Sequence, residues 1–259
     1  WLIAIPVVNI FGIVLGDMGE TGARLMYTHL LVVGIVVLIL RLKLPESPMW
    51  KSQKQAIATG SIDRATLKGI FSRTYLPAIV ALALFYALVN LAANTTGQFN
   101  SYLFVNVAGE SVSTATTFGL IGSLIGVVAA FGLMRIIDTK YRRMGFAFGA
   151  GLGLAACLIP GLLGPSLITL ATFVIAWQIA SSLFGEPHFK VWSQEIFPTE
   201  YRGTAQGIGI AFTRVVASLG ALVTPAILEL GPEYLFYALT AMVAISTLIG
   251  LLWVAKILE

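Results

Sequence analysis

Eight long apolar stretches constrain this chain more than any other feature of its sequence. They cover roughly residues 1–17, 26–44, 75–106, 114–137, 144–163, 166–189, 203–229 and 233–257. A helix needs about 20 consecutive apolar residues to cross the hydrocarbon core of a bilayer, and each stretch reaches or approaches that length. Only 11% of the residues are charged, against about 25% in soluble domains. The sequence therefore predicts an all-α, polytopic membrane bundle of about eight transmembrane helices.

The basic residues assign a direction to these helices, because Lys and Arg collect on the cytoplasmic side of a membrane. Eight crossings from a cytoplasmic start place residues 45–74, 138–143, 190–202 and the C-terminus inside. These segments and their flanks hold 14 of the 16 basic residues, the others being Arg24 and Arg214. Removing or adding one helix would scramble the pattern. We therefore expect a multi-pass protein of the plasma or inner membrane with a cytoplasmic C-terminus.

Several function classes find no support in the sequence. It has no Gly-rich phosphate-binding loop, no His-Glu-x-x-His and no Gly-x-Ser-x-Gly, so an enzyme, a metal site and a cofactor are not expected. The net charge of +4 reflects membrane topology, so nucleic acid is not an expected partner. Trp1 is not an initiator methionine and no cleavable signal follows it, so we expect the chain to begin within a longer protein.

Three short segments at the predicted cytoplasmic helix ends are unusual for an arbitrary membrane protein. They are Pro-Glu-Ser-Pro at 45–48, Asp-Thr-Lys-Tyr-Arg-Arg at 138–143, and Glu-Ile-Phe-Pro-Thr-Glu-Tyr-Arg-Gly at 195–203. In this order, the set resembles the major facilitator superfamily, and its sugar-porter-like branch most closely. That branch carries P-E-S-P-R, D/E-R-x-G-R-R and E-x-F-P-x-x-x-R-G at these places. Met49 and Tyr141 depart from its Arg and Gly.

The resemblance implies that the eight spans correspond to helices 5 to 12 of a twelve-helix transporter. Residues 1–44 would be the last two helices of the N-terminal half, 45–74 a cytoplasmic linker, and 75–259 the six-helix C-terminal half. It implies a secondary active or facilitative transporter of a small polar metabolite, with sugars or polyols first and organic anions second. A membrane receptor or scaffold that does not transport is a further alternative. Proton coupling stays open, and the chain alone is not expected to transport.

Charged residues of opposite sign are interleaved in the cytoplasmic motifs. We call this set the cytoplasmic cluster; it comprises Glu46, Asp138, Arg142, Arg143, Glu195 and Arg202. Placed at helix ends, such residues can pair across helices in one conformation and separate in another, and the resemblance implies a gate of this kind. The alternative is that the basic residues only enforce topology. Acidic residues contribute little to topology, so their presence favours the gate.

The third span is rich in amide side chains, a chemistry suited to hydroxyl groups because amides both donate and accept hydrogen bonds. The candidates are Asn90, Asn94, Gln98 and Asn100. The resembled family lines its sugar site with Gln and Asn in this helix, although the register differs here. Asn94 and Gln98 are four residues apart and share a helix face, so we expect this pair to contact substrate. The alternative is that the amides only bond the helix backbone.

Charged residues in the sixth and seventh spans are the other candidates for a substrate site. Glu186 stands where the family has Gly, and Lys190 where it has a site Trp; Lys190 could instead extend to the cytoplasm. Arg214 lies about 18 Å into its span, where a lone Arg costs at least about 2.5 kcal/mol. Thr213 aligns with a family site Asn. We expect Arg214 to bind an anionic group or to pair with Glu186, a structural ion pair being the alternative.

Three weaker patterns complete the predictions. Gly122 and Gly126 form a G-x-x-x-G, and glycines cluster at 149–153; small residues of this kind let membrane helices approach closely. Residues 45–74 are expected to hold two short amphipathic helices, capped by Ser47 and Ser61, rather than a flexible linker. His29 is expected to be a hydrogen-bonded structural residue, with a pH-sensing role as the alternative.

Overall fold

The computed structural model describes residues 4–44, 51, 52, 55, 59 and 67–258. Glu46, the rest of the motif at 45–48, and the predicted caps Ser47 and Ser61 lie outside these residues. The described helices are α1 (Ala4–Leu15), α2 (Gly19–Leu42), α3 (Leu67–Ile70), α4 (Leu76–Tyr102), α5 (Val112–Ile136), α6 (Arg142–Leu163), α7 (Leu167–Phe184), α8 (Glu186–Ile196), α9 (Thr199–Leu230), α10 (Pro232–Leu248) and α11 (Ala255–Leu258).

Seven helical stretches of the described chain are long and apolar enough to cross a membrane. The first runs from Ala4 to Leu42 and is two crossings, because it doubles back at a short 3₁₀ turn. The Phe11 and His29 rings stack with centroids 4.0 Å apart, whereas 18 residues of straight helix would separate them by about 27 Å. Gly19, at φ +60°, supplies a left-handed conformation that other residues rarely adopt. The prediction of about eight helices is confirmed.

The third, fourth, fifth and eighth spans lie within two residues of their predicted bounds. The second span begins at Gly19, seven residues before the predicted start, and the sixth span was wrong at its C-terminal end. It was expected to stop at 189, followed by a loop over 190–202. Instead α7 ends at Phe184, Gly185 interrupts the helix, and α8 continues to Ile196. Pro187 lies in the first turn of α8, where its missing N–H is not needed. The connection to α9 is consequently only two residues long, 197–198.

The helices from α4 onward pack into one bundle in which α7 lies between α5 and α6. The remaining principal contacts join α4 to α9, α10 to α6, and α10 to α4, while α1 packs on α5. Residues 30–42 of α2 and the two residues that follow it are all exposed, because no other described helix covers them. The core is aromatic, with Phe85, Phe146 and Trp192 in mutual ring contact.

Glycines permit the close approach of α7 to both of its neighbours, as the sequence predicted. A Cβ atom at Gly126 would lie 3.0 Å from the Gln178 carbonyl oxygen. A Cβ atom at Gly149 would lie 2.6 Å from the Cβ of Leu183. Gly151, by contrast, has nothing within 4 Å of that position. The role of Gly126 and Gly149 is therefore helix packing.

Of the segment before α4, residues 51, 52 and 55 are helical, and the chain is described continuously from residue 67 onward. Only α3, at Leu67–Ile70, is helical there, and Ile70 is fully buried. Phe71 lies in the turn that follows and is half exposed. The six crossings over 76–258 pack on one another, and the division of the chain into two halves stays a prediction.

Candidate functional site

A ladder of amide groups runs along α4 in the middle of its span. Nδ2 of Asn94 donates to Oδ1 of Asn90 at 2.5 Å and to its backbone oxygen at 2.9 Å. Nδ2 of Asn90 lies 3.5 Å from the Tyr86 hydroxyl. These residues are four apart, so the helix repeat places them on one face. Oδ1 of Asn94 accepts no hydrogen bond from the described residues, which leaves it available to a ligand.

The other two predicted amides lie one to two turns beyond the ladder. Gln98 is exposed and Asn100 is half-buried, and their side chains make no hydrogen bond within the described part of the chain. Asn94 is hydrogen-bonded to Asn90 and not to Gln98, and the predicted contact of Asn94 and Gln98 with substrate stays a prediction. Both pairs have the same spacing, and sequence alone gives no reason to prefer one.

Aromatic stacking fixes α8 against the ladder. The Tyr86 and Phe189 rings stack at 4.2 Å with an interplanar angle of 9°, and Phe189 fills the space beside Gly209 of α9. One turn farther along α8, Nε2 of Gln206 on α9 donates to the buried Ser193 hydroxyl at 2.8 Å. Tyr86 was not among the predicted site residues, although its spacing of four from Asn90 places the two on one helix face.

Three charged side chains lie in the spans beside the ladder. Nζ of Lys190 pairs with Oε1 of Glu186 at 2.7 Å, because the two residues are one helical turn apart on α8. Arg214 is exposed and makes no ion pair with any described residue. The expected pairing of Arg214 with Glu186 is thus not present, since Lys190 on the same helix occupies the carboxylate.

The level of Arg214 follows from the register of α4 and α9. Their starts are aligned by the Tyr75–Tyr201 ring contact at 5.6 Å, and farther along the side chain of Leu91 packs on Gly220, so the helices run parallel. Arg214 is 13 positions beyond Tyr201, whereas Tyr86 and Asn90 are 11 and 15 positions beyond Tyr75.

The Tyr75–Tyr201 contact puts Arg214 level with residue 88 and the Leu91–Gly220 contact with residue 85. Arg214 therefore lies near Tyr86 in depth, about 20 Å along the bundle from these starts. Both Glu186 and Arg214 act electrostatically on the Tyr86 hydroxyl. We call this set of side chains the polar belt; it comprises Tyr86, Asn90, Asn94, Glu186, Lys190 and Arg214.

Thr213 has a different place from its neighbour. It is 1% exposed and its hydroxyl has no hydrogen-bond partner in the described structure. It lies on the buried face of α9 together with Ala205 and Gly209, two turns before Gly220, which contacts Leu91 of α4. The predicted contact of Thr213 with substrate requires the helices to separate there, and it stays a prediction.

The cytoplasmic cluster contains one ion pair among the described residues. Nη1 of Arg142, at the start of α6, lies 2.5 Å from Oε1 of Glu195, in the last turn of α8. Arg202 instead donates from Nε to the Phe197 carbonyl oxygen at 2.9 Å, which closes the turn into α9. Asp138 and Arg143 are exposed without ionic partners in the described ranges. The structure thus joins α6 to α8, and the gating role stays a prediction.

His188 is a buried polar group inside the aromatic core. It is 0% exposed, and its ring contacts those of Phe146 and Trp192 at 5.0 and 5.2 Å. Neither ring nitrogen has a well-formed hydrogen bond in the described structure, although the Leu183 backbone lies within reach of a weak one. His29 was expected to be hydrogen-bonded, but among the described residues its ring stacks on Phe11 and makes no hydrogen bond.

Replacing His188 with leucine should stabilise the protein. An unsatisfied buried polar group costs about 1–3 kcal/mol, and leucine fills a similar volume without that penalty. Since 1 kcal/mol shifts Tm by about 2–4 °C in chains of this size, we expect Tm in detergent to rise by several degrees. Thermal unfolding followed by tryptophan fluorescence measures this. A lower Tm for His188→Leu than for His188→Gln would contradict it.

Comparisons with known proteins identify the family and the fold of this chain. A family model described as the Major Facilitator Superfamily matches residues 1–221. The "Minor myo-inositol transporter IolF" of Bacillus subtilis (strain 168) is 30% identical over 264 residues, which cover 98% of this chain and 59% of that protein. The crystal structure of a D-xylose-proton symporter superposes with a TM-score of 0.71 at 16% identity, covering 97% of this chain and 61% of that one. The chain thus spans about 60% of the length of each of these two proteins.

Proposed function

Because this chain belongs to the Major Facilitator Superfamily, we propose that it carries a small polar metabolite, a sugar or polyol, across a membrane. Transport proceeds by alternating access, in which two helical bundles rock about a site near the midplane. The family consists of transporters and not of enzymes. The inositol transporter that the chain resembles supports a polyhydroxylated substrate.

The observation that carries this proposal is the amide ladder of Asn90 and Asn94. Polar groups in the middle of a span are costly and are retained where they face a cavity or a ligand. Asn94 keeps its Oδ1 free, and an amide serves both the donor and the acceptor sides of a hydroxyl group. A substrate with several hydroxyls matches such a ladder better than an apolar one.

Orientation and coupling are part of the same proposal. The basic residues collect at the ends of the helices that hold Arg142 and Arg202, so we place these ends and the C-terminus in the cytoplasm. The protein is then a plasma or inner membrane protein. Protons are the proposed coupling ion, with support from the fold shared with a proton symporter.

Uptake into proteoliposomes tests the proposal in the transport-competent form of the protein. Radiolabelled myo-inositol, D-xylose and D-glucose are offered with and without an inward proton gradient. Saturable uptake of at least one of them is expected, and stimulation by the gradient would identify coupling. Binding without accumulation would favour a receptor, and uptake of small carboxylates alone would favour the organic-anion alternative.

Substituting alanine for Asn94 should weaken the affinity for the transported sugar or polyol. Loss of one hydrogen bond between neutral groups corresponds to about threefold to tenfold in KM. Asn106→Ala is the matched control, because Asn106 is an exposed amide that follows α4 at its far end. Equal KM values for the two variants would show that the amide ladder does not bind the substrate.

A further inference from the structure

The charges of the polar belt do not cancel. Glu186 and Lys190 neutralise each other across 2.7 Å, and Arg214 keeps its charge without an ionic partner among the described residues. The described acidic residues of the elements around it lie near helix ends; on α9 and α10 they are Glu200, Glu229 and Glu233. The belt as described therefore carries one uncompensated positive charge at the level of the amide ladder.

The side-chain type at this position favours a particular kind of anion. A guanidinium group presents donors in a planar fork that matches a carboxylate with two parallel hydrogen bonds. A singly charged carboxylate balances the single positive charge, whereas a phosphate dianion would leave a negative excess. Arg214 lies near Tyr86 in depth, about one helical turn from Asn90, so the anion would lie close to the level of the hydroxyl-binding groups.

We propose that the substrate is a polyhydroxylated monocarboxylate, a sugar acid such as an aldonate or a uronate. Its hydroxyls bind the Asn90–Asn94 ladder and its carboxylate binds Arg214. This inference rests on the proposed transport function and narrows its substrate class. The Glu186–Lys190 ion pair stays formed beside the site. Glu186 is therefore not available to pair with Arg214 in place of the substrate carboxylate.

Competition for uptake in proteoliposomes tests this assignment in the transport-competent protein. The competitors are gluconate and glucuronate, the neutral sugars glucose and myo-inositol, and the carboxylates acetate and pyruvate, which lack the row of hydroxyls. We expect the sugar acids to inhibit at concentrations about tenfold lower than either other group, as a hydrogen bond to a charged group implies. Arg214→Gln should remove this advantage and leave neutral competitors unaffected.

Two further variants serve as controls for the effect of Arg214→Gln. Arg214→Lys retains the charge without the planar fork and should retain part of the preference, which also reports a folded site. Arg135→Gln removes an exposed charge at the end of α5 and should retain all of it. Transport of neutral sugars with no advantage for sugar acids would overturn the inference and leave the transport function standing. Equal inhibition by acetate would overturn the role of the ladder, and absence of any uptake would overturn both proposals.

Discussion

Replacing Gly149 with leucine is expected to destabilise the helical bundle strongly. Gly149 lies at the contact of α6 with α7, where a Cβ atom would be 2.6 Å from the Leu183 Cβ and 3.1 Å from the Phe184 backbone nitrogen. Neither neighbouring atom belongs to the flexible end of a side chain, so α7 itself would have to move. Overpacking of a tight interior costs about 1–3 kcal/mol or more, and α7 is also held by α5 on its other side.

The matched control lies two residues away on the same helix. Gly151 is exposed, and a Cβ atom added there would have no neighbouring atom within 4 Å, so Gly151→Leu adds the same atoms where space is open. We expect its change in stability to stay within about 0.5 kcal/mol. Size-exclusion profiles and Tm of the two variants in detergent make the comparison. Equal Tm values would show that α6 and α7 do not pack as described.

Much of the membrane architecture was predictable because each apolar stretch is long. A run of about 20 apolar residues has few alternatives in lipid, and the basic residues at 138–143 and 190–202 independently fix the number of crossings. The glycine contacts were also predictable in kind. The sequence did not separate Gly149 from Gly151, because which face of α6 meets α7 depends on tertiary packing.

The break at Gly185 illustrates what sequence reasoning could not provide. Lys190 and Glu195 favour a cytoplasmic loop on sequence grounds, since charged residues usually end a span. In the structure they lie on α8, where Lys190 is neutralised by Glu186 and Glu195 by Arg142. A charged residue paired on its own or an adjacent helix does not need a loop, and such pairing is not visible until the helices are placed.

The sequence was sufficient to predict which residues are candidates for the site, but not which side chains form hydrogen bonds or ion pairs with one another. Asn90, Asn94, Glu186 and Arg214 were identified because polar groups are costly at that depth. Their hydrogen-bond partners were not predictable where two residues have the same spacing. Asn90 and Gln98, for example, are both four residues from Asn94. Tyr86 was overlooked because an aromatic residue in an apolar span is usually part of the core, and here its ring does pack on Phe189.

Reversing the charge of Arg142 should lower the rate of transport by about tenfold or more, since like charges placed in contact cost several kcal/mol. The guanidinium and the Glu195 carboxylate are 2.5 Å apart, and their side chains are only 28% and 37% exposed. Partial burial limits screening by salt. The pair joins the start of α6 to the end of α8 across 53 positions of the chain, so it favours the one conformation in which those ends meet and shifts the population toward it.

A charge exchange separates this interaction from other effects of the two residues. Arg142→Glu and Glu195→Arg should each lose most of the initial uptake rate, and the double variant should recover a large part of it. The difference between the double variant and the sum of the single ones gives the coupling energy of the pair. Additive losses would mean that the two residues act separately and that the contact has no role in transport.

Membrane topology is the competing explanation for Arg142, and a neighbouring residue distinguishes it. Lys140 is exposed on the same cytoplasmic turn and contacts the adjacent Tyr141 ring at 5.3 Å, with no carboxylate partner in the described structure. Lys140→Glu changes the charge of the turn by the same amount as Arg142→Glu. If the basic residues only orient the helices, the two variants should be equally impaired, because the orienting effect depends on the number of Lys and Arg near the span. If the contact with Glu195 controls the conformational change, only Arg142→Glu should lose transport, and only that variant should be rescued by Glu195→Arg.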